Sequence, residues 1–524
     1  MPHVVTQPCC ADASCVLACP VNCIHPAPGE PGFGTAEMVF IDPAECVDCG
    51  ACITACPVGA IKPHDKLEVP EQRFLDLNAE YFVANPHPDR PPLALVDKHP
   101  SPPWGHLPRA GENVFRVAIV GAGPAGLYAA DELLKYPGVT VDVYDRLLTP
   151  HGLVRAGVAP DHQHTKLIQN LFRSIEEEQG FAYHLGVEVG KDITHAELAA
   201  SHDAVVYAVG AATDRALGIP GENLDGSISA TEFVAWYNGH PDQAGRTFDL
   251  SNERAVVIGN GNVALDVARV LTQDVSHLEK TDISDAALEA LRHEKVTEVI
   301  VLGRRGPADA AFTLPELIGL AGVDHIDVVV EGPPVEVTSD KTALLAELQA
   351  RRVRPGVPRI IFRFNAGPTE IVGDASGRVR RIETAAGPID TALVIRAIGY
   401  RAHPVADLPF DEERAVVPNE HGRVKPGTYV TGWIKRGPNG FIGTNKTDSE
   451  DTVASLLADA EAGLLSAPTA ERPTLAALDR DGWLRIDAAE RAAGTAAGRP
   501  RVKFLETEAL RAAASPPARR ARRL

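Results

Sequence analysis

Two segments of this chain share one hydrophobic pattern. In each, a short β-branched run meets a cluster of glycines, and an Ala/Leu-rich stretch follows. The first runs from Arg116 to Val120, through Gly-Ala-Gly-Pro-Ala-Gly, into a helix read from Leu127; the second begins at Ala255. A short apolar run bounded by glycine is the pattern of a buried strand. Further strands read at Val141–Asp145, at 296–302 and from Leu393 to Ile398, and the region 276–292 reads as helical. Strands alternating with helices predict an α/β fold with parallel sheets covered on both faces. The expected architecture is two Rossmann-like dinucleotide-binding domains preceded by a small α+β module.

That module is set apart by its texture. Residues 1–62 hold all nine cysteines and, up to residue 61, no lysine or arginine. It should therefore dock on basic surfaces. Residues 63–112 are proline-rich, including Pro86-His87-Pro88-Asp89-Arg90-Pro91-Pro92 and Pro100-Ser101-Pro102-Pro103, and read as an irregular, semi-rigid linker. At 524 residues the chain exceeds one core, so two to four domains are expected. A net charge of −19 argues against a general nucleic-acid binder. The basic tail Arg519-Arg520-Ala521-Arg522-Arg523 reads as a solvated end. No basic-then-apolar leader is seen, and no charge-free apolar run is long enough to span a bilayer. A cytoplasmic protein without membrane insertion is expected, and clustered thiols suit a reducing cytosol.

Cys46, Cys49, Cys52 and Cys56 are followed by Pro57, the C-x2-C-x2-C-x3-C-P run of bacterial ferredoxins. Cys9, Asp12, Cys15, Cys19 and Pro20 repeat that spacing with a carboxylate in second place. In tandem runs the fourth cysteine reaches across to the other cluster. Cys46, Cys49, Cys52 and Cys19 are therefore expected around one [4Fe-4S] cluster. Cys9, Cys15 and Cys56 are expected around the other, with Asp12 at its fourth corner. A carboxylate is a harder, weaker ligand for iron than a thiolate, so this cluster is expected as [3Fe-4S] or as a labile [4Fe-4S]. Two alternatives stay open: Asp12 points to solvent beside a permanent three-iron site, or Cys10 replaces Cys9 as the ligand. Cys10 and Cys23 lie outside both repeats and read as unligated thiols. Zinc sites use ligand pairs separated by a loop, which this spacing does not match.

Gly121, Ala122, Gly123 and Gly126 form a G-x-G-x-x-G turn between strand and helix. The first glycine allows the tight turn, the second lets a pyrophosphate approach, and the third lets helix and strand pack closely. Asp145 ends the next strand, about 20 residues on, where an acid is expected on a ribose hydroxyl. Gly259-Asn260-Gly261-Asn262-Val263-Ala264 is a second fingerprint, in the G-x-G-x-x-A form. Its next strand ends in Gly303-Arg304-Arg305, and paired guanidiniums there suit a 2′-phosphate, favouring NADP. The bland reading is that both arginines cap a surface loop. Nicotinamide gives up two electrons as a hydride, and iron–sulfur clusters accept one at a time. A flavin takes the pair and returns single electrons, so FAD is expected in the first fold and NADPH in the second.

Four longer strings carry a family resemblance. They are Thr149-Pro150-His151-Gly152-Leu153-Val154-Arg155-Ala156-Gly157-Val158-Ala159-Pro160-Asp161-His162; Gly259 to Arg269; Gly303-Arg304-Arg305-Gly306-Pro307; and Gly432-Trp433-Ile434-Lys435-Arg436-Gly437-Pro438-Asn439-Gly440-Phe441-Ile442-Gly443-Thr444-Asn445-Lys446. From about residue 113 onward the chain resembles adrenodoxin-reductase-type ferredoxin–NADP reductases. Residues 1–62 resemble seven- and eight-iron ferredoxins, and the whole resembles the actinobacterial fusion of the two. The resemblance implies an FAD domain over 113–212 and 396–524 and an NADP domain over 213–395. It implies that Gly121 to Gly126 and Asp145 hold the ADP half of FAD, with Leu153 and Val189 lining that site. Trp433, Gly440, Phe441 and Ile442 would touch the flavin end, with Gly440 also near the nicotinamide. Arg215, Asn260, Gly261, Asn262, Val263, Arg304, Arg305 and Glu316 would hold NADPH. His162 and Asp266 would lie at the flavin–nicotinamide contact, as positioning and tuning groups. The chain departs from the family where Trp is frequent at His151 and Thr at Asn439. Pro315 before Glu316 fits only near a helix start.

The expected function is a ferredoxin–NADP reductase with a built-in ferredoxin, passing electrons to a ferredoxin or a P450-type system. Two rivals remain: an NADPH-oxidising subunit of glutamate-synthase type, and an iron–sulfur redox sensor. The arginine pair supplies a test. One charged hydrogen bond to a 2′-phosphate is worth about 1.5–3 kcal/mol. Replacing Arg304 and Arg305 together with Ala should raise KM for NADPH far more than KM for NADH. Equal effects in steady-state assays with the two cofactors would remove the assignment.

Overall fold

A computed structural model describes residues 2–86 and 115–516. Their packing forms two compact units. The first gathers the described parts of 1–93, 158–165 and 212–401; the second gathers those of 94–157, 166–211 and 402–524. The cysteine module thus packs in one unit with the second nucleotide-binding domain.

The module is built as two copies of one motif. Strand His3–Val5 pairs antiparallel with Ile61–Pro63, and Ile24–His25 pairs with Phe40–Ile41. Each pair joins one strand from each copy, so neither copy closes a sheet alone. Short helices Ser14–Ala18 and Ala51–Ala55 follow left-handed residues, Ala13 at φ 59° and Gly50 at φ 74°. Ala11 and Asp48, at φ 55° and 57°, take the same conformation at matching repeat positions. The two cysteine loops therefore share one backbone path.

The linker expectation needs correction. Residues 63–86 are folded, and Arg73–Ala84 is a helix whose Phe74 and Asn78 are buried. Asn78 joins strands from both copies: its Oδ1 accepts from Val5 N at 3.2 Å and Ile41 N at 3.0 Å, and its Nδ2 donates to Val5 O at 3.0 Å. Prolines on either side mask a proline-free stretch that carries its apolar groups on one helical face. The remainder of the linker, residues 87–112, and the basic tail lie outside the described residues.

In the same unit, six parallel strands run in the order Ser227–Ser229, Leu393–Arg396, Arg254–Ile258, Glu298–Leu302, Arg359–Arg363, Asp327–Glu331. The expected strands near 296–302 and 393–398 are both present. The expected helix over 276–292 is two helices, Val275–Leu278 and Asp285–Arg292. Ser284 separates them by accepting from Ala287 N at 3.2 Å, since a serine cap starts a new helix.

The second unit holds another six-stranded sheet. Its order is Arg423–Lys425, Thr428–Val430, Ala204–Tyr207, Phe115–Val120, Val139–Asp145, Phe181–Leu185, parallel except at the first pair. A buried ionic cluster braces its helix Arg480–Ala496. Arg155 and Arg501 pair with Glu490, and Asp487 is ringed by Arg501, Arg491 and Arg173. Burial works against the charge of Asp487, but Arg501, Arg173 and Arg491 outweigh it and hold its carboxyl down to about 2. A depressed carboxylate stabilises the fold fully above about pH 4, and the contribution fades as pH falls through its folded value. Asp487→Asn should cost about 2 kcal/mol near neutrality and far less in strong acid, read as denaturant midpoints against pH.

Candidate redox site

Two cavities sit inside the cysteine module. One is lined by Cys19, Cys46, Cys49 and Cys52, with Cys23 at its wall. The other is lined by Cys9, Cys15, Cys56 and Asp12, with Cys10 beside them. The cross-over sets read from the spacing are thus brought together. Thiols converging on small apolar pockets fit iron–sulfur clusters, whose ligands must be thiolates. Burial pushes the free Cys9 thiol up to about 11. Cys23 Sγ lies 3.4 Å from Cys19 Sγ, and Cys10 is buried at the second cavity. Asp12 is buried and lines that cavity, yet its carboxylate accepts from Ser14 N at 3.3 Å and also from Ser14 Oγ.

The first glycine-rich turn is sterically determined. A Cβ on Gly121, at φ 113°, would stand 2.4 Å from Ala208 O, and one on Gly126 2.0 Å from Gly121 O. Gly123 begins the helix Pro124–Leu134 without a side-chain cap, so first-turn amides are left for an anion. Asp145 accepts from Ala122 N and from Leu147 N, both at 2.8 Å. Its carboxylate therefore orders the turn itself, and burial raises it above its ordinary range. Leu153 is exposed on the short helix Gly152–Ala156, and Val189 bridges to Ile193. Trp433 starts the helix Trp433–Arg436. Gly440 has φ 83°, Phe441 N donates to Thr444 Oγ1 at 2.9 Å, and Ile442 O accepts from Asn445 Nδ2 at 3.0 Å.

The second turn repeats this plan in the first unit. Gly261 begins the helix Asn262–Thr272, again without a side-chain cap, and Val263 lies in its first turn. Asn260 O accepts from Phe312 N at 2.8 Å, and Asn262 Oδ1 from Thr313 N at 2.9 Å. These bonds fix the start of the helix Leu314–Ala321, where Pro315 occupies the first turn and Glu316 is its acid. Arg304 and Arg305 are exposed beyond their strand, with Arg305 Nη1 3.4 Å from Asp309. Arg215 is exposed, and its backbone N donates to Gly399 O.

His162, Asp266 and Glu316 meet in one cluster. His162 Nδ1 is 3.9 Å from Asp266 Oδ1, and His162 Nε2 is 3.9 Å from Glu316 Oε2. Arg269 donates to Asp266 at 2.7 Å and to Asp161 at 2.6 Å. Burial opposes both charges of the Arg269–Asp161 pair, yet their mutual attraction raises the guanidinium and holds the carboxyl well below its usual range. Burial raises Glu316, against the pull of His162 and Arg269.

Two contributors were not read from the sequence. Gln7 of the cysteine module donates to Glu316 Oε2 at 2.9 Å, a contact across 309 positions that no local pattern encodes. His151, noted only as a departure from the family, is buried with its Nε2 2.7 Å from Glu176 Oε1 and its ring against Trp483. A left-handed φ of 79° brings it there.

The family described as pyridine nucleotide-disulphide oxidoreductase matches residues 115–439, and the 4Fe-4S binding domain matches residues 39–62. A probable ferredoxin/ferredoxin–NADP reductase of Mycobacterium tuberculosis is 50% identical, over 98% of this chain and 95% of its own. The NADPH-ferredoxin reductase FprA of Mycobacterium leprae is 45% identical, over 75% of this chain and 96% of its own. The solved structure of Mycobacterium tuberculosis FprA in complex with NADPH matches with a TM-score of 0.71 at 41% identity, over 76% of this chain and 99% of that one. The fold and its paired nucleotide turns define an oxidoreductase of the pyridine nucleotide-disulphide class. Within that class the chain belongs to the ferredoxin/ferredoxin–NADP reductases, FAD-dependent enzymes here carrying their own ferredoxin domain. Among the described residues, no helix is long and apolar enough to cross a membrane.

The Gln7–Glu316 bond gives a measurable expectation. A hydrogen bond to a charged acceptor contributes about 1.5–3 kcal/mol when both groups are shielded. Gln7→Leu should lower the denaturant midpoint at which visible cluster absorbance is lost. An unchanged midpoint would mean that water replaces the amide without loss.

Proposed function

We propose that the first unit holds NADPH, that the second holds FAD, and that electrons leave singly through two clusters in the cysteine module. The observation that carries this reading is that two cysteine-lined cavities share one compact unit with the Asn260–Val263 turn. FAD supplies the conversion of a hydride into single electrons. Asn260, Gly261, Asn262 and Val263 present the helix N-terminus to the pyrophosphate of NADPH, and Arg304 and Arg305 take its 2′-phosphate. Arg215 and Glu316 complete that site. Gly121, Ala122, Gly123 and Gly126 receive the pyrophosphate of FAD, with Asp145 holding their turn in shape. Leu153, Val189, Trp433, Gly440, Phe441 and Ile442 line the remainder.

His162 and Asp266 act by position and charge. Hydride transfer to a flavin needs no general base, and Arg269 holds Asp266 in place beside the imidazole by a 2.7 Å hydrogen bond. The outlet is a ferredoxin or a P450-type system in the cytoplasm. Tethering the carrier to its reductase raises its effective concentration.

Cys19, Cys46, Cys49 and Cys52 hold a four-iron cluster. Cys9, Cys15 and Cys56 hold a three-iron or labile four-iron cluster. The hydrogen bonds from Ser14 compete for the Asp12 oxygens, which favours a labile corner. The reading is tested on the full-length protein by iron, sulfide and flavin analysis, followed by anaerobic NADPH titration under EPR. NADPH should reduce at least one cluster through bound FAD; clusters reduced only by dithionite would overturn it. The air-isolated protein should show a three-iron signal that gains iron under reducing conditions, and Asp12→Cys should retain four irons in air. A signal unchanged in both proteins would separate Asp12 from control of the fourth iron.

A further inference from the structure

The cysteine module is symmetric in its backbone, but its two cluster loops differ in what covers them. At one repeat position Cys10 is 4% exposed and its counterpart Val47 is 59% exposed. At the next ligand position Asp12 is 6% exposed, whereas Cys49 is open to solvent. The sequence repeat alone demands no such difference.

The segments on either side of the covered loop touch the nucleotide-binding domain in the same unit. Gln7, two residues before Cys9, lies against Gly319: a Cβ there would stand 2.2 Å from Gln7 Oε1. The amide of Gln7 also donates to Glu316. Gly59, three residues beyond Cys56, faces His164, 3.6 Å from where its Cβ would be. Both segments framing the Asp12 cavity thus abut the domain that carries the His162–Asp266–Glu316 cluster. The opposite loop, Cys46 to Cys52, presents Val47, Asp48 and Cys49 to solvent, and Ile53 beside Cys52 is exposed as well. Glu45 and Asp48 flank this apolar centre; Asp48 Oδ1 lies 2.9 Å from Nδ1 of the buried His3, and residues 1–61 contain no lysine or arginine.

We infer that, of the two clusters, the one at the Cys46–Cys52 loop passes electrons to the external acceptor. The face around Val47 and Cys49 docks a one-electron acceptor protein with an apolar centre and a Lys/Arg rim. Electron transfer weakens steeply with distance, so the cluster with a solvent-facing ligand serves an external partner and the covered one does not. Opposite charge around a small apolar contact steers encounter without slowing release. The chemistry balances: NADPH becomes NADP+, two acceptor molecules gain one electron each, and one proton is released. No bond to the acceptor forms. The inference rests on the proposed electron path.

The test uses full-length holoprotein and mitochondrial cytochrome c, a basic one-electron protein, as the probe. Glu45→Gln/Asp48→Asn neutralises the exit rim, and asparagine tolerates the left-handed φ of 57° at residue 48. Asp76→Asn/Glu80→Gln removes equal charge from exposed positions on the helix Arg73–Ala84. The exit pair should lower kcat/KM for cytochrome c about tenfold at low salt and flatten its salt dependence, while the helix pair changes it less than about twofold. Ferricyanide reduction by NADPH should be equal in all three proteins. Equal effects of the two pairs, or none from either, would overturn the exit face. Wild-type clusters that NADPH does not reduce under EPR would instead overturn the electron path beneath it.

Discussion

The structure depends on an exchange between two loops. Cys19 leaves the first cysteine run to complete the cavity of the second, and Cys56 does the reverse. The strands are exchanged in the same sense, each sheet taking one strand from each copy. A segment of this size buries too little apolar surface to be secure alone. Bringing distant cysteines to one cavity lets a bound cluster tie together what the small core cannot. Asn78 adds a third tie by bonding main-chain groups of both copies.

Much of this was legible because cofactor chemistry constrains spacing. Thiolates that must converge leave a fixed cysteine interval, and a pyrophosphate that must approach the backbone leaves glycines. Those signals located both cysteine sets, both nucleotide turns and the flanking strands. The helix Arg73–Ala84 was missed because prolines around it outweighed a short amphipathic stretch. The break at Ser284 was missed because a serine cap is a weak signal inside a helical pattern. Gln7 beside Glu316 was illegible for a deeper reason: two surfaces distant in sequence determine it, and nothing local marks either partner.

Asp145 carries a structural task that its motif does not announce. An acid at the end of the second strand is read as a ribose ligand. Here both of its oxygens receive main-chain N–H groups, one from the glycine turn itself. The carboxylate holds the loop before any ligand arrives, which lowers the ordering cost of binding.

The two units differ in when their parts become available during synthesis. Everything in the unit that holds the cysteine module lies within residues 1–401, whereas the other needs residues 402–524 to supply two strands of its sheet and its bracing helices. On the ribosome, the iron-binding unit can close while its companion is still missing an edge. The order of synthesis thus gives the cysteine-bearing unit all of its strands before the other has its last two.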